Sequence, residues 1–408
     1  MIASKNRIAV MIIICYIFIF IFSYFIMPSF LPFTNPFDVD YIRNGKYGGC
    51  YLITSLSGNV KIVDGSGSVK WETNENGGFA HDSDILPNGN ILIADTTNNR
   101  VIEVNIENPS EILWSWDATK NSDINWSQFG IKAFGRDLSY LKESQTPFYW
   151  THLNDVDFIN GSQFGRDFNS ILISLNSFNL VLEINYSNTK EIIWWYGNPD
   201  NTNLLRQQHN PDRYSNGNTV ICDSGNDRII EINTTTKEIV WELSLKFPDG
   251  KFRMVRDCDD IGNNQRLITD SNNNRIIIYD IMDNKIIKEF KSPFLLSPYE
   301  ADLLEDGRII AGNTMGGAMI ILDSETGFTL GMIGFPINHI FPISLIFGFI
   351  LYNSIYLVKE IKSNKKNGIK KIFDYHVYER IIYLGISILF LIFSNYIFLF
   401  IYSFQIKG

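Results

Sequence analysis

Residues 81–100 read HDSDILPNGNILIADTTNNR, and residues 209–228 read HNPDRYSNGNTVICDSGNDR. With the histidine as position 0, both have Asp at +3, Gly at +8, Asp at +14 and Arg at +19. The same frame fits from Arg256 (Asp259, Asn264, Asp270, Arg275) and from Tyr299 (Asp302, Gly307, Asn313, Ala318). The copy beginning at His152 has Asp155 at +3, an insertion around Gly161 to Asn169, and resumes at Ile171. Within each copy, short runs rich in Ile, Val and Leu alternate with turn residues such as Pro87-Asn88-Gly89 and Thr97-Asn98-Asn99. The first copy therefore predicts four strands, roughly His81–Leu86, Asn90–Ala94, Arg100–Asn105 and Glu111–Trp116. Gly48 to Trp71 forms a further partial copy, which makes six units. Four-stranded units that cannot bury both faces alone stack radially, so the expected fold is an all-β, six-bladed propeller.

The repeat also carries its own structural chemistry. Asp95/Arg100, Asp223/Arg228 and Asp270/Arg275 flank the same turn and are expected to stabilise it. Trp71, Trp114, Trp116, Trp194, Trp195 and Trp241 are expected to pack between blades. Cys222 and Cys258 lie in neighbouring copies and read as buried thiols. No C-x-x-C pair suggests zinc.

The ends of the 408-residue chain differ from its middle. Ile8–Met27 is an uncharged run long enough to span a bilayer, followed by no small-residue cleavage pattern. Ile340–Val358 and Ile381–Ser403 are two more apolar stretches, and six lysines from Lys359 to Lys371 lie between them. A short basic loop stays in the cytoplasm, as do Lys5 and Arg7 ahead of the first run. The expected organisation is an anchor over 1–35, an extracytoplasmic propeller over 36–335 and a transmembrane hairpin over 336–408. That gives one N-terminal and two C-terminal transmembrane helices, with the lipid bilayer as a partner. Sequons at Asn125, Asn160, Asn185 and Asn233 fit that sidedness. A net charge of −9 argues against nucleic acid as a partner.

Three of only five histidines, His81, His152 and His209, share position 0. Position 0 opens the innermost strand of a blade, so these imidazoles are expected to converge at the channel mouth. Arg256, Tyr299 and, as the sixth member, Tyr41 complete the expected ring. Such a set can supply a nucleophile, an acid/base and an anion clamp. Arg256 opposes a metal ion in the ring, and no metal or cofactor is expected. A non-catalytic propeller that binds an anionic ligand or surface glycan is the alternative reading.

Tyr149-Trp150-Thr151-His152-Leu153-Asn154-Asp155, Phe79-Ala80-His81-Asp82 and Gln208-His209 with Asn216-Gly217-Asn218 and Cys222-Asp223-Ser224-Gly225-Asn226 resemble segments of the arylsulfotransferases that do not use a nucleotide sulfate donor. The resemblance covers roughly residues 45 to 335. It implies transfer of a sulfuryl group from an aryl sulfate donor to a phenolic acceptor through a sulfohistidine. On that resemblance His209 is the nucleophile, and His81 and His152 bind sulfate oxygens and handle the phenolic proton. The family's arginine on the second strand of the His152 blade is replaced here by Ser174-Leu175-Asn176-Ser177. Arg256, Tyr299 and Asn176 are the expected substrate-binding residues. The aromatic-rich segment from Ala118 to Trp150 is expected to wall or cover the site.

Overall fold

The computed structural model describes residues 33, 35–56, 58, 60–73, 79–118, 150–245 and 250–334. They form six four-stranded antiparallel sheets in chain order, over 36–72, 82–117, 153–197, 209–243, 255–290 and 298–334. Within each sheet every strand pairs with its sequence neighbour. This is the six-bladed propeller that the repeat predicts. The strands of the first copy fall at Asp82–Ile85, Ile91–Asp95, Arg100–Val104 and Ile112–Asp117, within a residue or two of expectation. The expected membrane segments lie outside the described residues. Among the described residues no helix is long and apolar enough to cross a membrane.

The partial copy at Gly48 to Trp71 is part of a complete blade. Its inner strand is Pro36–Tyr41, upstream of the region that shows the repeat. The connection from Tyr41 to Tyr51 is longer than that from Ile85 to Ile91, which hides the +14 spacing.

Six clusters of apolar side chains each join two neighbouring blades. Ile42, Leu52, Ile62 and Trp71 meet Ile91, Ile93 and Ile102 between the first and second blades. Ring closure repeats the pattern: Val39, Tyr51, Ile53 and Val63 of the first blade pack with Ile310, Met319 and Ile333 of the last. Among the described residues no strand is exchanged at this seam. The backbones come so close that a Cβ on Gly312 would lie 2.1 Å from the Phe37 carbonyl oxygen. Trp71, Trp116 and Trp194 are buried in these seams. Trp195 departs from expectation, being 38% exposed with Lys237 over its ring. Cys222 and Cys258 are free, buried thiols of the seam between the fourth and fifth blades.

The turn pairs have the expected role. Asp95, Asp223 and Asp270 are fully buried and accept from Arg100, Arg228 and Arg275 at 2.6, 2.7 and 2.7 Å. Asp223 also accepts from the Arg206 amide at 2.7 Å and from Asn226 at 2.8 Å, which ties the turn to the chain entering its own blade. Asp223→Ala should lower stability by about 2–3 kcal/mol, because buried donors lose their acceptor. Chemical denaturation of the two proteins measures this, and an unchanged midpoint would contradict the assignment.

Candidate active site

The innermost strands carry the site, and their pairing fixes the true register. Asp40, Asp84, Asp157, Asp212, Asp259 and Asp302 stand opposite Leu52, Leu92, Leu172, Val220, Leu267 and Ile310, one pair per blade. This moves the third blade by two residues from its expected alignment. Asp157 is its +3 aspartate and Asn154 its position 0, whereas His152 lies at −2. His152 has φ 47°, the left-handed conformation found also at Gln207, Met254 and Ser297, each two residues before its ring position. The sequence frame counted from Asp155, and the insertion after Ile159 removed the downstream marks that would have corrected it. The first blade is corrected as well. Phe37, not Tyr41, precedes Asp38 at position 0, and Tyr41 packs on Tyr51.

Despite the shift, the histidines meet. The His81 and His152 rings are 4.9 Å apart. Tyr299 lies 6.0 Å from His81 and 5.5 Å from His209. The Arg256 guanidinium sits 4.4 Å over the Tyr299 ring. Phe37 stacks on His81 at 4.5 Å, and Phe79 meets its edge at 5.0 Å. Phe37, Phe79 and Tyr299 thus form a buried aromatic wall beside the ring. The expected lid residues 119–149 lie outside the described residues.

Backbone irregularities aim these side chains. Five of the six inner strands carry a register shift at or beside position 0. A β-bulge lets consecutive residues face one side, which strict alternation forbids. Position 0 and position +1 can therefore both address the channel.

In four blades the side chain at the +15 position holds the blade to the next. Thr96, Asn176, Ser224 and Thr314 donate to the carbonyls of Leu153, Gln208, Val255 and Pro36, each one residue before the next ring position. Asn176, expected to bind substrate, spends its amide on this bond. In two blades the same hydroxyl meets a histidine: Thr96 Oγ1 is 3.0 Å from His81 Nδ1, and Ser224 Oγ is 2.8 Å from His209 Nδ1. A hydroxyl has one proton, and here it goes to a carbonyl. The imidazole must then donate, so Nδ1 carries hydrogen and Nε2 keeps its lone pair. Arg256 Nη1 uses Ser271 Oγ in the same way, at 2.9 Å.

Electrostatics keep the imidazoles neutral. Burial pushes His209 well below the ordinary histidine range, and Arg256, His152 and His81 add to it. Burial, His152 and Arg256 do the same to His81. Burial and Arg256 bring His152 down to about 4. Among the described residues Arg256 has no carboxylate partner, and its buried Nε has no acceptor. The site is a half-buried cation with a buried, unpaired Nε beside three imidazoles held toward their neutral form. It is built to receive an anion.

Further along the channel the chemistry reverses. Position +1 holds Asp38, Asp82, Asp155, Asn210, Asp257 and Glu300, and the +3 aspartates lie about 6–7 Å beyond. Sequence reading used the +3 aspartates only as register marks. The sign that they form a second site was their occurrence once in every blade. Asn154 was missed too; it occupies a ring position, and its buried Oδ1 has no partner.

Residues 42–209 match the arylsulfotransferase (ASST) family model. The arylsulfotransferase match contains His81, His152 and His209 and stops short of Arg256 and Tyr299. With the propeller fold it supports an arylsulfotransferase-like function, and the family implies an aryl sulfate donor and a phenol acceptor. No curated protein matches the chain. Among solved structures, a streptogramin B lyase aligns at 10% identity and TM-score 0.47, over 74% of this chain and 84% of its own. Virginiamycin B lyase from Staphylococcus aureus aligns at 12% and 0.45, over 71% and 81%. The WD40 β-propeller domain of Doa1 aligns at 10% and 0.46, over 71% and 79%.

Proposed function

We propose that this chain is a membrane-anchored, extracytoplasmic arylsulfotransferase that moves a sulfuryl group from an aryl sulfate to a phenol through a sulfohistidine at His209. The observation that carries the reading is Arg256: a half-buried guanidinium with a buried, unpaired Nε and, among the described residues, no carboxylate partner, beside the His209 imidazole whose Nδ1 is engaged by Ser224. A sulfate ester supplies the missing anion, and its sulfur is the electrophile that a neutral imidazole can attack.

In the first half-reaction His209 Nε2 attacks sulfur and the S–O bond to the aryl group breaks. Arg256 stabilises the non-bridging oxygens as charge redistributes in the transition state. The phenoxide leaves with the bonding pair and needs a proton. His152, whose ring lies 4.9 Å from that of His81, is the donor in this reading. A bound sulfate offsets the Arg256 charge that holds His152 down, so the anion itself favours loading His152 with a proton. The aryl ring packs against Phe37, Phe79 and Tyr299. In the second half, His152 takes the proton of the acceptor phenol, the phenolate oxygen attacks sulfur, and His209 Nε2 departs. The test is incubation with an aryl sulfate without acceptor, followed by peptide mass spectrometry. A sulfuryl adduct on the His209 peptide is expected; its absence during active turnover would exclude the covalent route.

Ser224 is a positioning residue, since it fixes the tautomer of His209 without reaching substrate. Ser224→Ala should lower kcat roughly 10- to 100-fold with little change in KM, the size of effect seen when an outer hydrogen-bond partner of a functional histidine is lost. A KM change at constant kcat would assign Ser224 to binding instead.

Anchoring rests on the apolar segments 8–27, 340–358 and 381–403 with their flanking lysines. A membrane-impermeant thiol reagent on intact cells should label Val240→Cys, an exposed strand position, and not Lys366→Cys. The reverse pattern would invert the topology.

A further inference from the structure

We propose that the middle of the propeller channel is a calcium site, with Asp38, Asp82 and Glu300 as ligands and Asp155 beside them. The site is distinct from the His–Arg ring and does not depend on the sulfuryl-transfer reading. One carboxylate oxygen from each of Asp38, Asp82 and Glu300 lies within 4.8 Å of the others. Oxygens bound at about 2.3–2.6 Å from a common calcium ion fall in that range of separations.

An independent observation points the same way. Asp155 is only 4% exposed, lines the same cavity, and its Oδ2 has no hydrogen-bond partner. A buried carboxylate oxygen with neither donor nor ion is costly, so such an atom marks a place for one. The cavity has a volume of about 150 Å³, room for an ion and several waters at about 30 Å³ each. Its lining contains no lysine, arginine, histidine or cysteine. An oxygen-only set selects hard cations over zinc or copper, and flexible carboxylates from several strands suit calcium better than the strict octahedron of magnesium.

The backbone prepares these ligands. Asp38 and Asp82 each accept a main-chain N–H of the next blade, from Ser83 at 3.2 Å and Val156 at 2.6 Å, through one oxygen. Without an ion, burial and mutual repulsion push these carboxyls toward the protonated form, Asp82 up to about 7. A wider cavity of about 950 Å³ shares Asp157, Asp212, Asp259 and Asp302 with the site and gives an ion a path from the far mouth. The ligands come from the first, second and last blades, so the ion would clamp the seam where the ring closes.

The test uses the full-length chain in detergent, stripped with a chelator and then dialysed against calcium or magnesium. Expected are about one bound calcium per chain by elemental analysis and a melting temperature raised by roughly 5 °C at calcium about a hundredfold above Kd. Glu300→Gln and Asp155→Asn should fold, since neither loses a hydrogen bond seen here, and should weaken calcium binding at least tenfold. His209→Ala should bind calcium normally, which separates this site from the sulfuryl chemistry. No bound ion and no shift with either metal would overturn the proposal in favour of a proton-filled carboxyl cluster. Undiminished binding in both carboxyl variants would put the ion elsewhere and overturn it as well.

Discussion

His209→Ala should reduce turnover of a chromogenic aryl sulfate by on the order of 10⁴-fold or more, the loss typical of removing a covalent nucleophile. The size follows from the mechanism. Without Nε2 no sulfuryl intermediate forms, and Arg256 with the aromatic wall is left to bind substrate only. Substrate binding should accordingly survive, measurable as inhibition or direct titration with an unreactive aryl sulfonate. The choice of His209 over His81 is a sharp point, because Thr96 prepares His81 in the tautomer that Ser224 gives His209. The two differ in surroundings. His81 meets Phe37 and Phe79, while among the described residues the ring contact of His209 is with Tyr299. A variant that keeps full turnover, or an adduct mapped to His81, would reassign the nucleophile.

The second large effect belongs to Arg256. Arg256→Met should cost about 10²–10³-fold in kcat/KM, as loss of one preorganised charge donor at a transition state does. It should also change the pH dependence, and the sign is fixed. Arg256 depresses the proton affinity of His81, His152 and His209, alongside burial. The attacking His209 must be neutral in the free enzyme, so kcat/KM falls as pH drops through its depressed pKa, which lies well below the ordinary histidine range. Removing the cation raises that pKa and moves the acid limb of the profile upward in pH. Arg256→Lys should restore part of the rate and return the acid limb toward its original place. A rate loss with an unmoved acid limb would mean that Arg256 acts through packing on Tyr299 rather than through charge.

The turn pairs and the histidine ring show two different kinds of legibility. Asp95/Arg100 and its equivalents are neighbours along the chain, and the two-strand geometry around one turn fixes their contact wherever the repeat occurs. The histidines were legible because tandem units place equivalent residues around one axis. The same logic went wrong by two residues in the third blade. Asp155 and Asp157 both fit an alternating inner strand, and only pairing with Ser174 and Leu172 distinguishes them. His152 reached the ring all the same, its imidazole 4.9 Å from that of His81.

The amino-acid sequence by itself determined the blade count, the strand order within each blade, the turn chemistry and the identity of most ring residues. These follow from local periodicity and from repetition, which need no knowledge of distant partners. Tertiary structure alone decided that Phe37 and not Tyr41 closes the ring, that Asn176 bonds a neighbouring blade, and that Arg256 has no carboxylate partner among the described residues. It also decided that carboxylates from separate blades converge in one cavity. Those facts depend on which strand lies opposite which and on where a bulge reverses the facing of a side chain. Backbone hydrogen bonds between segments far apart in the chain set both, and no single stretch of residues records them.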